Sequence, residues 1–269
     1  MIDFSALGDV LLDPLHFLLA FTLIGISTLV ISVRWYLLCR AQDLNLPLKS
    51  VFELTMLGIF FNTFMPGAVG GDLVKAWYVA GREPLRKTRA VFTVILDRIM
   101  GLSVFFFFAA VTMAINSEWV RSRPEIQLVA YAVWGFSAAA VVVLIFFYSP
   151  IYEKFALFHR LIDQLRKVNF LKKVIDASLS YRDHKGAVLM GLAVSSISIT
   201  NIVIFNYIQG ERLGIPLDLG SYFFIIPIAV TVSAIPLLPG GIGVGQVAYF
   251  TLFTWAGVPN PELGGTLCT

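Results

Sequence analysis

Apolar residues gather in seven stretches along the chain, at 15–33, 51–65, 90–115, 126–148, 186–208, 221–238 and 242–258. Within each stretch they lie all round a helical projection, not on one stripe opposite a charged face. That pattern belongs to helices surrounded by hydrocarbon. A helix needs about 20 residues to cross some 30 Å of bilayer core, and five of the stretches reach that length. The stretches at 51–65 and 242–258 are shorter, roughly 15 to 17 residues, and each adjoins a break: Pro66-Gly67-Ala68-Val69-Gly70-Gly71 in the first case, Pro239-Gly240-Gly241-Ile242-Gly243 in the second. Short apolar segments next to Pro/Gly breaks predict re-entrant hairpins or discontinuous helices. The expected fold is therefore an all-α, polytopic helical bundle, a single transmembrane domain over 1–269 with two Gly/Pro-broken hairpins.

Composition strengthens this reading, because 58% of the 269 residues are hydrophobic and 14% are charged, against about 25% charged in a soluble domain. A net charge of +3 does not argue for a nucleic-acid partner. The placement of the charges says more than their sum. Lys and Arg accumulate in cytoplasmic loops; with the N-terminus outside and the segment from 51 to about 80 entering and leaving on the cytoplasmic side, Arg34, Arg40, Lys49, Lys75, Arg82, Arg86, Lys87 and Arg89 all fall inside. So do the bases between 154 and 185, while Arg121, Arg123 and Arg212 fall outside. The same count puts the second break on the opposite face, which predicts an inverted pair of broken elements, the arrangement that frames midplane sites in transporters. No residue-by-residue repeat accompanies it.

Segment 151–185 alternates apolar and basic residues at helical spacing. It is expected to lie on anionic lipid or to pack on the bundle, and both fit the pattern. The residues before the first stretch, with Asp3, Asp9 and Asp13 and no base, do not resemble a cleaved signal, so the first span is expected to be retained. Cys39 and Cys268 read as unremarkable thiols, and isolated histidines give no metal motif. Neither a cofactor nor a catalytic motif is indicated.

The candidate chemistry sits where charge interrupts hydrocarbon. Asp97 and Arg98 lie about 12 Å along the third stretch from its basic edge, and each costs on the order of 2.5–3.5 kcal/mol at a helix centre unless it faces the interior and finds a partner. Sequence neighbours point about 100° apart on a helix, so each needs a partner elsewhere. Asp72 and Lys75 follow the first break at a spacing that makes them neighbours on a half-helix, and the four are expected to cluster. Such a cluster serves either as a site for a lipid phosphate or as a network that pins the hairpin to the third span. Backbone N–H groups at Gly70, Gly71, Gly240, Gly241 and Gly243 would favour an anion if a half-helix begins there. Asn62 and Gln246 stand beside the two breaks, where they would repair unpaired backbone or contact a ligand.

Three motifs in order, Asn62 to Lys75 (NTFMPGAVGGDLVK), Leu96-Asp97-Arg98, and Pro239 to Gln246 (PGGIGVGQ), resemble the lysylphosphatidylglycerol synthase transmembrane, or flippase-like, family over nearly the whole chain. The resemblance implies a bacterial or archaeal inner-membrane protein that handles an anionic phospholipid or a polyprenyl-phosphate-linked substrate across the bilayer. In the family's synthases a separate soluble domain performs aminoacyl transfer, so no enzymatic activity is carried over to this chain. Two departures matter. Gly245-Gln246 stands where many relatives carry Arg-Glu, and relatives continue into a further span where this sequence stops at Thr269, as a truncated product would. The expected function is binding and translocation of an anionic lipid. The alternatives are a membrane-embedded transferase with Asp72 or Asp97 as base, and a non-catalytic partner of a separate lipid-modifying enzyme recruited through 151–185.

Overall fold

The computed structural model describes residues 13–65, 70–148, 164, 167–233 and 243–267. Every regular element among them is helical. In order these are α1 (Pro14–Ala41), α2 (Leu48–Phe64), α3 (Gly70–Arg82), α4 (Lys87–Ile115), α5 (Ser117–Arg121), α6 (Pro124–Tyr148), α7 (Asn169–Leu179), a 3-10 turn (Ser180–His184), α8 (Lys185–Arg212), α9 (Leu219–Ser233), α10 (Val244–Trp255) and α11 (Glu262–Leu267). Helices α1 and α4, and the run Lys172–Arg212 that contains α8, are long and apolar enough to cross a membrane. At 25 residues, or about 37 Å, α6 has the length as well.

Helices α1 and α8 run antiparallel along each other. Asp13 pairs with Arg212, His16 Nε2 lies 2.8 Å from Gln209, Asn201 donates to Ser27 at 2.6 Å, and Arg34 donates to Ser195 at 3.0 Å. Helix α4 is central, touching α1, α3, α6, α7, α8 and α9. One apolar cluster, around Trp35, Cys39, Leu44, Leu54, Val79 and Val94, joins the end of α1 to the start of α4. A larger one, around Met113, Ile126, Val203, Tyr222, Ile226 and Phe253, fills the other end of the bundle.

The two short apolar stretches adopt the predicted hairpins. Helices α2 and α3 are antiparallel, because Gly71 meets Asn62 and Gly58, Lys75 meets Gly58, and Val79 joins the cluster of Leu54 and Val51. At 17 and 13 residues, about 25 and 20 Å, they are too short to cross separately, and both outer ends lie beside the end of α1 and the start of α4. Helices α9 and α10 are antiparallel too, with Tyr222 against Phe253 at 5.9 Å between ring centroids. Their outer ends lie at the opposite face, where Thr112 approaches the Phe223 carbonyl and Trp119 packs edge-on to Phe224. The two hairpins therefore enter the bundle from opposite ends, as the charge count predicts.

The described part of stretch 221–238 is α9, 15 residues or about 22 Å, which lies against α10 as one arm of the second hairpin. Arg34 and Lys75 are not loop bases of the basic end. Hydropathy ends the first stretch at 33, but the helix continues to Ala41 and carries Arg34 inward, while the hairpin carries Lys75 inward. Most of 151–166 lies outside the described residues; beyond it, α7 packs on the bundle, with Ala177 buried near Leu38, Phe92 and Tyr181, while Lys172 and Lys173 face outward. For that part the bundle-packed reading holds.

Candidate functional site

Five charged side chains converge between the two apolar clusters. On α4, Asp97 lies ten residues, about 15 Å, from the helix start. Its Oδ1 accepts from Arg34 Nε at 2.7 Å, and its Oδ2 lies 3.8 Å from Lys75 Nζ. All three residues are at most 7% exposed. Arg98, on the next face of α4, donates to Asp72 Oδ2 at 2.5 Å, with side-chain exposures of 26% and 22%. The four residues cluster as the sequence predicts: Lys75 meets Asp97 and Asp72 meets Arg98, both on α4.

Each charge has its place made for it. Gly101 stands one turn beyond Asp97, and a Cβ there would lie 3.1 Å from Arg34 Nη1, so the missing side chain leaves room for the guanidinium. On α2, a Cβ at Gly58 would lie 2.8 Å from Lys75 Cδ. The Lys75 ammonium also sits over the Trp35 ring at 4.2 Å, and that indole is fixed by its N–H to Thr93 Oγ1 at 3.1 Å. An ammonium over an aromatic face loses part of its hydration but gains a cation–π contact.

The glycine expectation is revised at Gly71. Its N–H donates to Asn62 Oδ1 at 2.7 Å, so this amide is satisfied within the hairpin and Asn62 repairs backbone. Gly71 is required for a different reason: a Cβ there would fall 1.8 Å from the Gly58 carbonyl oxygen. Gly70 packs against the Met65 side chain and is not on the cavity wall.

A cavity of about 320 Å³ opens on this cluster, walled by Arg34, Asn62, Asp72, Lys75, Asp97 and Arg98 together with Ser195, Ser198 and apolar residues of α1, α2, α4 and α8. Gly240 and Gly241 lie outside the described residues. Gly243 and Gln246 are described and are not brought to this wall; Gly243, at φ +89°, lines an apolar groove of about 620 Å³ with Val129, Ile228, Val232 and Val247. Among the described residues no group of His, Cys, Asp and Glu is arranged to hold a metal ion.

Sequence reasoning missed Arg34 and Ser195. Arg34 follows the apolar stretch directly and reads as an ordinary flanking base. One weak signal did exist: Ser27 stands two turns before Arg34, on the same side of α1. Ser195 has no such mark, since small hydroxyls are common in apolar helices and bond their own backbone, as this one also does.

The family described as the lysylphosphatidylglycerol synthase TM region matches residues 1–269. Among similar proteins, a UPF0104 membrane protein of Pyrococcus horikoshii is 26% identical over 275 aligned positions, covering 91% of this chain and 78% of the relative. A UPF0104 membrane protein of Methanothermobacter thermautotrophicus is 24% identical over 276, covering 95% and 80%. A third, from Methanocaldococcus jannaschii, is 29% identical over 97 positions, 36% of this chain and 29% of that protein's length. No solved structure matches the chain. With the whole sequence matched and helical spans flanking two broken hairpins, the chain belongs to the lysylphosphatidylglycerol synthase transmembrane family.

Proposed function

We propose that this protein binds an anionic lipid headgroup, of a phospholipid or a polyprenyl-phosphate-linked substrate, in the charged cavity and carries it across the cytoplasmic membrane without a covalent step. The observation that supports this reading best is the placement of Arg34, Lys75 and Arg98 together on a cavity wall inside the apolar bundle. A phosphate crossing hydrocarbon alone meets a large desolvation cost. Guanidinium and ammonium donors already positioned in the bundle replace its water, and acyl tails remain in lipid. In this reading the end of the bundle rich in Lys and Arg faces the cytoplasm, and the N-terminus lies outside.

Movement would come from rocking the first hairpin against the α1–α4–α8 frame, since Gly58, Gly71 and Asn62 hold α2 and α3 together as one body. The test is reconstitution in liposomes with tail-labelled phosphatidylglycerol and dithionite to report exposure. Wild type is expected to equilibrate the label between leaflets, and Arg98→Ala at equal insertion is expected to lose most of that rate. Equal rates for the two proteins would sink the proposal.

A second reading, recruitment of a separate lipid-modifying enzyme, is favoured by one feature: a polar hollow at the basic end lined by Arg86, Lys87, Arg89, Lys173 and Asp176. It predicts that neutralising Lys87, Arg89 and Lys173 abolishes activity in cells while Arg98→Ala is tolerated.

A further inference from the structure

Among the described residues, the charged wall of the cavity does not balance. Their cations are Arg34, Lys75 and Arg98, and their carboxylates are Asp72 and Asp97, which leaves one positive charge when all five are ionised. Residues 66–69 and 234–242, which contain the two breaks, carry no ionisable side chain. Arg34 is what tips the sum, because Lys75 and Arg98 alone would be matched one for one by the two carboxylates.

Net charge matters more here than in a surface cleft. Arg34, Lys75 and Asp97 are nearly free of solvent exposure, and a charge without a counterion is costly in low-dielectric surroundings. An occupant carrying a single negative charge brings the cavity to neutrality. A dianion overshoots by one, and a zwitterion leaves the excess where it was. The contacts are unequal in the same sense. Asp97 is held at 2.7 Å by Arg34 and at 3.8 Å by Lys75, so the ammonium is the looser donor. Ser198 adds a hydroxyl on the facing wall, able to bond an ester or alcohol oxygen without changing the charge sum, while the Ser195 hydroxyl is already engaged by Gly191 and Arg34.

From this charge sum we infer that the cavity selects a singly charged phosphodiester headgroup, against both phosphomonoester dianions and zwitterions, and that Arg34 sets this selectivity through the total. The inference rests on the lipid reading of the cavity and narrows it to one headgroup class.

The test is a charge ladder on purified protein, reading both binding and leaflet exchange of tail-labelled phosphatidylglycerol, phosphatidic acid at pH 8 and phosphatidylethanolamine. Wild type is expected to prefer phosphatidylglycerol by about tenfold over each of the others. Asp72→Asn raises the sum to two and is expected to shift preference to phosphatidic acid. Arg98→Gln lowers it to zero and shifts preference to phosphatidylethanolamine. The double variant Asp72→Asn/Arg98→Gln returns the sum to one and the original order, and so does Arg34→Gln/Asp97→Asn, which reaches the same sum through the other pair. Because the Asp72–Arg98 pair is partly exposed, its variants are expected to fold even if those at the buried pair do not.

An order that stays fixed across the ladder while lipids still bind overturns the selectivity inference and leaves lipid handling in place. Binding in the expected order without leaflet exchange supports the inference and removes translocation. No binding of any of the three lipids overturns both. Glycerophosphoglycerol, the same diester without tails, separates the sources. Competition about tenfold weaker than the lipid marks a lipid-borne headgroup, and equal competition overturns the lipid reading while keeping the phosphodiester.

Discussion

The two hairpins share a plan and differ in what they carry. Each is a pair of short antiparallel helices entering from one end of the bundle. Helix α3 brings Asp72 and Lys75 to charged partners on α4. Helices α9 and α10 hold no acidic or basic side chain, and their inner faces are Tyr, Phe, Ile and Ala. The first adds ion pairs to α4 to the apolar contacts of Val51, Leu54 and Val79, and ion pairs tolerate replacement of one partner by another anion. The second is joined by close apolar packing, which tolerates little displacement. Re-entrant shape alone does not mark a polar site; the side chains on the hairpin decide that.

The largest expected effect comes from Asp97→Ala, which leaves Arg34 and Lys75 buried without their carboxylate and should cost about 3–5 kcal/mol of stability. Thermal unfolding in detergent measures it, and Arg34→Leu/Lys75→Leu/Asp97→Leu, which removes the whole triad, should recover much of the loss. The close approach of the first hairpin is next: Gly71→Val, pushed against the Gly58 carbonyl, should cost at least about 1–3 kcal/mol. At Gly243 the demand is on the backbone, so Gly243→Ala, strained at φ +89°, should cost about 1–2 kcal/mol without affecting the charged cavity. Asn62→Ala removes the acceptor for the Gly71 N–H and should cost about 1 kcal/mol, with faster amide exchange at Gly71.

The smallest effect concerns the mouth of the second hairpin, outside the apolar region. The Asp218 carboxyl is held below its ordinary range first by the Ser221 hydroxyl, with help from the Gly220 and Ser221 backbone. A depressed carboxyl contributes stability that is present above its unfolded value, near 3.8, and is lost as pH falls through the lower folded value. Asp218→Asn should therefore matter little at neutral pH and should remove this acid sensitivity, seen as a flatter unfolding temperature below about pH 4.

Much of this was legible because hydrocarbon makes charge conspicuous. Asp97 and Arg98 interrupt an apolar run and announce an interior site. The short stretches beside Pro66 and Pro239 announce hairpins, and the distribution of Lys and Arg assigns their opposite ends. Partner choice was legible in part. Asp72 and Lys75, just past the first break, are the charges that Arg98 and Asp97 need, and α3 is turned so that both face α4. Arg34 was hidden because an arginine just past an apolar stretch is the ordinary signature of an interface. The role of Gly71 was misread for a related reason: sequence shows that a side chain is absent, and only packing shows that a carbonyl occupies the space.

The short bond of Asp97 to Arg34, with Arg34 reaching on to Ser195, ties α1, α4 and α8 into a door frame, while the longer reach to Lys75 crosses to the hairpin. A stretched latch releases before a closed hinge pin does, so separation should begin along the seam facing α3. The aspartate would stay with the frame as the hairpin swings, ready to receive the same ammonium when the door shuts.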